Sequence, residues 1–161
     1  DPYYLIHQAQ TFDCDPMLIS SARHRNSSMP SFIFSQLMDS MKDKKINVQE
    51  ASVLIMGLTF KENCKDLRNT KVVDTISELQ DYGLQVDCYD PWVSSAEAEH
   101  EYGLTPVAAL EAGEYDAIII AVAHKQFAEM GVKHIRALGK STHILYDLKY
   151  LLPADASDLR L

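Results

Sequence analysis

The sequence predicts an α/β fold: a parallel sheet with helices on both faces, in three layers, preceded by a long helical segment. From about residue 46 onward, short apolar runs alternate with amphipathic stretches, which is the pattern of strands alternating with helices. Before that point, apolar side chains recur at every fourth position, as on one face of a helix. We therefore expect a helical segment at residues 1–45 and an α/β domain at residues 46–161.

The helical segment has a start signal and an internal proline. Asp15 followed by Pro16 is typical of a helix N-terminus, because it joins an N-cap residue to a proline in the first turn. An apolar stripe then runs from Met29 to Met41. Pro30 lies within this stretch, and proline disrupts a helix interior, so we expect a kink or a division into two helices.

The α/β domain is expected to alternate strands with helices along the chain. The predicted strands are residues 53–56, 85–89, 117–122 and 143–146. The predicted helices are residues 70–82, 94–102, 106–112 and 124–130, and Gly83 ends the first of them. This alternation favours a parallel sheet, in which ligands bind beyond the C-terminal ends of the strands.

Basic side chains follow two of the predicted strands. Lys61 comes just after the first strand and ahead of a helix N-terminus, where a lysine can meet a phosphate or a carboxylate. Arg68 lies in the same loop and could pair with Asp66, which would leave an ordinary charged loop as the alternative. Lys149 follows the fourth strand and is either a second ligand contact or a surface lysine.

Two other strand ends are ambiguous. Asp90 ends the second strand, where dinucleotide-binding domains hold ribose hydroxyls with a carboxylate, although Pro91 favours a simple turn residue. His124 is either a polar ligand contact or, more commonly at such a position, a cap of the helix that it begins. Gly57 ends the first strand without the G-x-G-x-x-G pattern of a pyrophosphate-binding turn.

The composition disfavours several classes of protein. The formal net charge is −8, with 15 Lys and Arg against 23 Asp and Glu, which argues against nucleic-acid binding. The longest apolar run, residues 117–123, is far below the ~20 residues of a membrane-spanning helix. The three cysteines have no metal-binding spacing and are typical of reduced thiols in a cytoplasmic protein. The sequence starts without methionine, which we interpret as the start of a fragment.

Five segments, in order along nearly the whole chain, resemble one protein family. They read DPYYL at 1–5, RHRNSSMP at 23–30, GLTFKENCKDLRNTKV at 57–72, YDPW at 89–92 and AVAHKQF at 121–127. Together they resemble the C-terminal portion of the UDP-glucose/GDP-mannose dehydrogenase family. The sequences of these segments are most similar to those of bacterial enzymes that act on UDP-N-acetylhexosamines in capsule and O-antigen synthesis. UDP-glucose is the second candidate for the substrate.

The resemblance implies that the parent protein oxidises the C6 hydroxyl of a nucleotide sugar to a carboxylate. It does so with two NAD molecules in succession, through a cysteine-bound thiohemiacetal and thioester. The resemblance also implies that residues 46–161 form a Rossmann-like domain that binds the UDP part of the substrate. Residues 1–45 would belong to a central helical segment that makes a homodimer, and NAD would be bound mainly by an N-terminal domain outside this sequence.

Individual roles follow from the same resemblance. Phe60 and Lys61 would contact the UDP-sugar, Lys149 occupies a position that is often a substrate-binding arginine, and Arg68 would reach towards NAD. Asp1 matches an aspartate that helps proton transfer and water activation, four residues after the nucleophilic cysteine. Because that cysteine position precedes residue 1, and no glycine-rich NAD sequence is present, the fragment is expected to be inactive alone.

Two other interpretations remain open at this point. One is a complete NAD-binding Rossmann domain, which Asp90 favours and the missing glycines oppose. The other is a non-catalytic assembly domain that dimerises through the apolar stripe from Met29 to Met41 and binds no nucleotide.

Overall fold

A computed structural model describes residues 2–161 of the chain. Asp1, to which the resemblance gives a proton-transfer role, lies outside the described residues. The N-terminal part forms three helices: α1 (Pro2–Thr11), α2 (Met17–Ser27) and α3 (Met29–Asp43). Pro16 precedes α2 and Pro30 lies in the first turn of α3, where its missing N–H breaks no helical hydrogen bond. The expected division at Pro30 is thus confirmed.

The α/β part contains five strands and three helices within the described residues. The strands are β1 (Ser52–Met56), β2 (Gln85–Tyr89), β3 (Tyr115–Ile120), β4 (Gly139–Asp147) and β5 (Leu159–Arg160). The helices are α4 (Val72–Asp81), α5 (Ser95–Tyr102) and α6 (Lys125–Ala137), the last of which is kinked at Gly131. All four strand pairings are parallel, and the order is β2-β1-β3-β4-β5.

Helices cover both faces of the sheet, so the three-layer prediction is confirmed. On one face, Val53 and Ile55 of β1 pack in a buried cluster with residues of α3, α4 and α5. On the other face, Leu54 and Met56 pack against α6, which contributes Phe127. Apart from Ser52 of β1 and Asp116 of β3, the residues of these two central strands are apolar and buried, as expected for strands that are covered on both faces.

The apolar stripe of α3 is part of this core. Ile33, Leu37 and Met41 are buried and pack in the same cluster as Ile76 and Leu79 of α4. The stripe therefore covers the protein's own sheet and is not an exposed face. An assembly domain that dimerises through this stripe, one of the two alternatives, is inconsistent with that burial.

Three expectations from the sequence need correction. The predicted helix at 106–112 is absent, because the segment lies along β2 and the Val107 N–H donates to the Cys88 carbonyl at 2.8 Å. The fourth strand is longer than 143–146, and it is followed by a fifth strand that the sequence did not indicate. The helix expected at 124–130 continues beyond its kink to Ala137. Within residues 2–161, no helix has the length and apolarity to span a membrane.

Candidate functional site

The candidate site is a cleft of about 1070 Å³ at the C-terminal ends of β1 and β3. The chain places β2 on one side of β1 and continues with β3 on the other, so these two strands form the switch point of the sheet. Crevices at such points are where open α/β sheets bind ligands. The cleft brings together Phe60, Lys61 and Lys149, the three residues that the resemblance predicts to bind substrate, and it does not include Arg68.

Gly57 allows the two strand ends to come together at the cleft. Its φ is +100°, a left-handed value that side chains disfavour. A Cβ added there would lie 2.5 Å from the Cβ of Val122, which follows β3. This glycine therefore serves the close approach of two segments of the protein, and a pyrophosphate is not needed to explain it.

The segment from Gly57 to Lys71, named here the β1 loop, is held in shape by its own acidic residue. The Phe60 N–H donates to the Asp66 carbonyl at 2.8 Å. Arg68 donates from Nε and Nη2 to the two oxygens of the Asp66 carboxylate, both at 2.9 Å. The hydrogen bond from Arg68 lowers the pKa of the Asp66 carboxyl to about 2. The pairing expected from the sequence is confirmed.

Lys61 and Phe60 project from this loop into solvent at the cleft. The Phe60 side chain is 53% exposed, and the Lys61 Nζ lies 5.7 Å from the centre of its ring. Neither Lys61 nor Lys149 pairs with a carboxylate in the part of the chain that the structure describes. Both ammonium groups are thus free to meet an anionic ligand.

The loop that carries Lys149 is organised by a buried carboxylate. Asp147 accepts hydrogen bonds from the backbone N–H groups of Lys149 at 3.1 Å, Leu151 at 3.2 Å and Leu152 at 2.8 Å. The Asp147 side chain is fully buried at the end of β4. The chain is therefore turned sharply after β4, and Lys149 is presented at the cleft.

Asp90 holds the start of the β1 loop by hydrogen bonds, but its side chain does not line the cleft. One carboxylate oxygen accepts from the backbone N–H groups of Leu58 at 2.6 Å and Thr59 at 3.1 Å, and the other accepts from Trp92 at 2.8 Å. Burial raises the pKa of the Asp90 carboxyl. Hydrogen bonds from His124, Leu58 and Trp92 together lower this pKa by more than burial raises it, so the carboxyl titrates below its usual range. The turn interpretation is confirmed, and the ribose interpretation is wrong because protein donors occupy both oxygens.

His124 is fully buried beneath the β1 loop. Its Nε2 lies 3.0 Å from Asp90 Oδ2 and 3.1 Å from Thr59 Oγ1, and its Nδ1 accepts from the Asn63 N–H at 2.9 Å. The side chain makes no capping hydrogen bond to α6, although His124 occupies the N-cap position. His124 therefore begins α6 as expected, but its side chain plays no part in the cap. Because the side chain is fully buried and does not line the cleft, the structure opposes the ligand-contact interpretation.

Arg23 is a cleft residue that the sequence did not single out. Its guanidinium carbon lies 3.8 Å above the ring of Tyr3, and both residues line the cleft. Four basic and two acidic side chains line the whole cleft, and one acidic side chain is paired, at 2.8 Å between Lys71 and Asp74. A protein with a net charge of −8 therefore carries a locally basic cleft. The only signal for Arg23 was its position in the RHRNSSMP segment.

The strand order and the basic cleft at the switch point define a nucleotide-binding α/β domain. Comparison with known families makes this class specific. Residues 54–154 match the UDP-glucose/GDP-mannose dehydrogenase family, UDP binding domain, and the chain belongs to this family. The resemblance seen in the sequence is thereby confirmed.

Individual relatives agree with the family match. The chain is 56% identical over 161 residues to a UDP-N-acetyl-D-glucosamine 6-dehydrogenase of Pseudomonas aeruginosa, and 50% identical to one of Salmonella typhi. Each alignment covers 100% of this chain and 38% of the relative, so the chain spans well under half of their length. A UDP-D-ManNAc dehydrogenase structure from Pyrococcus horikoshii superposes with a TM-score of 0.80 at 26% identity, over 99% of this chain and 36% of that one.

Proposed function

We propose that this chain is the substrate-binding part of an NAD-dependent UDP-N-acetylhexosamine 6-dehydrogenase. The whole enzyme would oxidise the C6 hydroxyl of the sugar to a carboxylate with two NAD molecules. The observation that carries the proposal is the pair of unpaired lysines, Lys61 and Lys149, at the switch-point cleft of a family UDP-binding domain. The names of the relatives from P. aeruginosa and S. typhi support UDP-N-acetyl-D-glucosamine as the sugar nucleotide.

The cleft suits a nucleoside diphosphate. Two lysines from different loops, Lys61 and Lys149, can approach a diphosphate from different sides, each with charge-assisted hydrogen bonds. The exposed ring of Phe60, beside Lys61, offers an apolar surface to the uracil or the sugar. Arg23 adds to the positive field, whereas the charge of Lys71 is offset by Asp74.

The same cleft does not fit NAD held in the dinucleotide-binding manner. In that manner the backbone N–H groups after the first strand bind the pyrophosphate. Here the N–H groups of Leu58 and Thr59 already donate to Asp90. This argues against the alternative of an NAD-binding domain, and it supports an N-terminal domain of the same protein as the main NAD site.

Arg68, Asp1 and the helical segment complete the proposal. Arg68 is paired with Asp66, and its side chain is largely exposed. To reach NAD in another domain, Arg68 would either break this ion pair or move together with Asp66. Asp1 would assist proton transfer beside a cysteine supplied by the rest of the enzyme.

A homodimer through residues 1–45 is supported by exposed apolar side chains on α1 and α2, among them Leu18 at 87%. A cytoplasmic enzyme of capsule or O-antigen synthesis is the setting that we propose.

Calorimetric titration with UDP, UDP-N-acetylglucosamine and NAD, each alone, tests the proposal. We expect the first two to bind and NAD not to bind. Binding of NAD alone would contradict the assignment of the cleft. If none of the three binds, the enzyme that includes the remaining N-terminal part must be titrated, and failure of UDP to bind there would favour an assembly role. That longer enzyme should reduce NAD with the sugar nucleotide, and the 161-residue chain should not.

A further inference from the structure

We propose that His124 and Asp90 are positioning residues for ligand binding, which act by clamping the part of the β1 loop that presents Phe60 and Lys61. The proposal rests on the proposed function in that the cleft ligand is a UDP-sugar. Neither His124 nor Asp90 lines the cleft, and both side chains are fully buried. Their effect on a ligand must therefore pass through the loop.

The hydrogen bonds assign the proton on the His124 ring. Its Nδ1 faces a backbone N–H, that of Asn63 at 2.9 Å, so this nitrogen must be the acceptor. The Thr59 hydroxyl donates to the Lys61 carbonyl at 2.8 Å, so its oxygen can only accept from the ring. Nε2 therefore carries the proton and faces Thr59 Oγ1 and Asp90 Oδ2. The ring is neutral, because a second proton on Nδ1 would confront the Asn63 N–H.

The clamp grips the loop on both sides of Phe60 and Lys61. Before them, the N–H groups of Leu58 and Thr59 bind Asp90. After them, the Asn63 N–H binds His124. The two halves of the clamp meet where His124 Nε2 contacts Asp90 Oδ2 at 3.0 Å. Residues that lie 31 to 65 positions apart in the sequence thus fix a six-residue stretch, residues 58–63.

Packing holds the imidazole so that it can serve this purpose. The Trp92 ring stacks on it with centroids 6.4 Å apart, and the Phe127 ring meets it edge-on at 5.4 Å. Asn63 is also held from the other side, since its Oδ1 accepts from the Lys125 N–H at 2.9 Å. The ring therefore cannot turn to a new partner without disturbing the start of α6, and the loop geometry is preset before ligand arrives.

His124→Phe tests the proposal, because it keeps a flat ring and removes both hydrogen-bonding nitrogens. Amide hydrogen exchange is the first measurement and needs no ligand. We expect exchange at Asn63 to accelerate by about tenfold, as for the loss of one partly buried hydrogen bond, while the core amides of β3 keep their protection. His134→Phe, at an exposed histidine of α6, is the matched control and should leave Asn63 unchanged. Unchanged Asn63 exchange in folded His124→Phe would overturn the proposal.

UDP affinity is the second measurement, and it separates positioning from general damage. We expect His124→Phe to weaken UDP binding by about tenfold. In the Lys61→Ala background the same change should cost little more, because its effect runs through the loop that presents Lys61. Fully additive losses would overturn the proposal. If neither the wild-type chain nor the longer enzyme binds UDP, the proposed function fails, and the exchange result still decides whether the clamp exists.

A second variant covers the case in which His124→Phe does not fold. His124→Asn places a carbonyl oxygen near the position of Nδ1 and so can keep the bond from Asn63 while losing the proton donor to Asp90. We expect His124→Asn to retain most of the exchange protection at Asn63. Protection lost in His124→Asn as fully as in an Asp90→Ala variant would count against Nδ1 as the acceptor that holds the loop.

Discussion

Gly57→Ala should destabilise the protein more than an alanine at any exposed glycine of similar backbone conformation. At Gly57 the new methyl group meets two costs. The left-handed backbone, with φ of +100°, costs about 1–2 kcal/mol for a residue with a side chain. The Cβ would also lie 2.5 Å from Val122 Cβ, and overpacking of this kind adds about 1–3 kcal/mol. We therefore expect a loss of about 2–5 kcal/mol in the free energy of unfolding.

Gly83 provides the matched control within the same chain. Its φ is also +100°, but an added Cβ would meet nothing within 4 Å. Gly83→Ala should therefore show the backbone cost alone, about 1–2 kcal/mol. Urea unfolding followed by circular dichroism measures both variants, and the difference between them isolates the contact with Val122. Equal losses would refute the reasoning, because they would mean that the ends of β1 and β3 separate freely.

Three further predictions concern the site and the thiols. Lys61→Ala should weaken UDP binding by about 1.5–3 kcal/mol, the contribution of a charge-assisted hydrogen bond, as calorimetry can measure. Lys65→Ala, in the same loop, is the control and should bind UDP as the wild type does. Equal effects of the two substitutions would remove Lys61 from the site. The Asp66 carboxyl, whose pKa is about 2, should hold its loop pairing above about pH 4 and lose it as the pH falls towards 2. Arg68→Ala should raise this pKa in an NMR titration, and an unchanged value would contradict the pairing. Burial raises the pKa of Cys88 to about 11, so alkylation at pH 8 should modify the other two thiols and spare Cys88, as mass spectrometry can show.

The sequence predicted the sheet well because its central strands are buried on both faces. The two central strands, β1 and β3, appeared as apolar runs, and the alternation of strands with helices indicated the parallel topology. The two-residue β5 has no run of its own to detect. The helix expected at 106–112 failed because a contact with Cys88, distant in the sequence, set the backbone of that segment.

The location of the site could be predicted from the sequence, but the hydrogen bonds that hold it in shape could not. Strand ends pointed to Lys61 and Lys149, and the structure places both at one cleft. The function of His124 depended on where Asp90 and Asn63 lie in space, and neither is its neighbour along the chain. Arg68 could be paired with Asp66 from their spacing alone, since both lie in one short loop.

The burial of α3 decides which part of the chain unfolds together. No residue of α1 or α2 is buried in the described structure, whereas α3 contributes Leu37 and Met41 to the main core. Heat or denaturant should therefore melt residues 29–161 in one transition, with α1 and α2 fraying earlier. A truncation at residue 46 would strip the sheet of α3, whereas one just before Met29 would not. We therefore expect the unit that unfolds cooperatively to begin near Ser28, between α2 and α3, one helix earlier than the change of sequence pattern suggests.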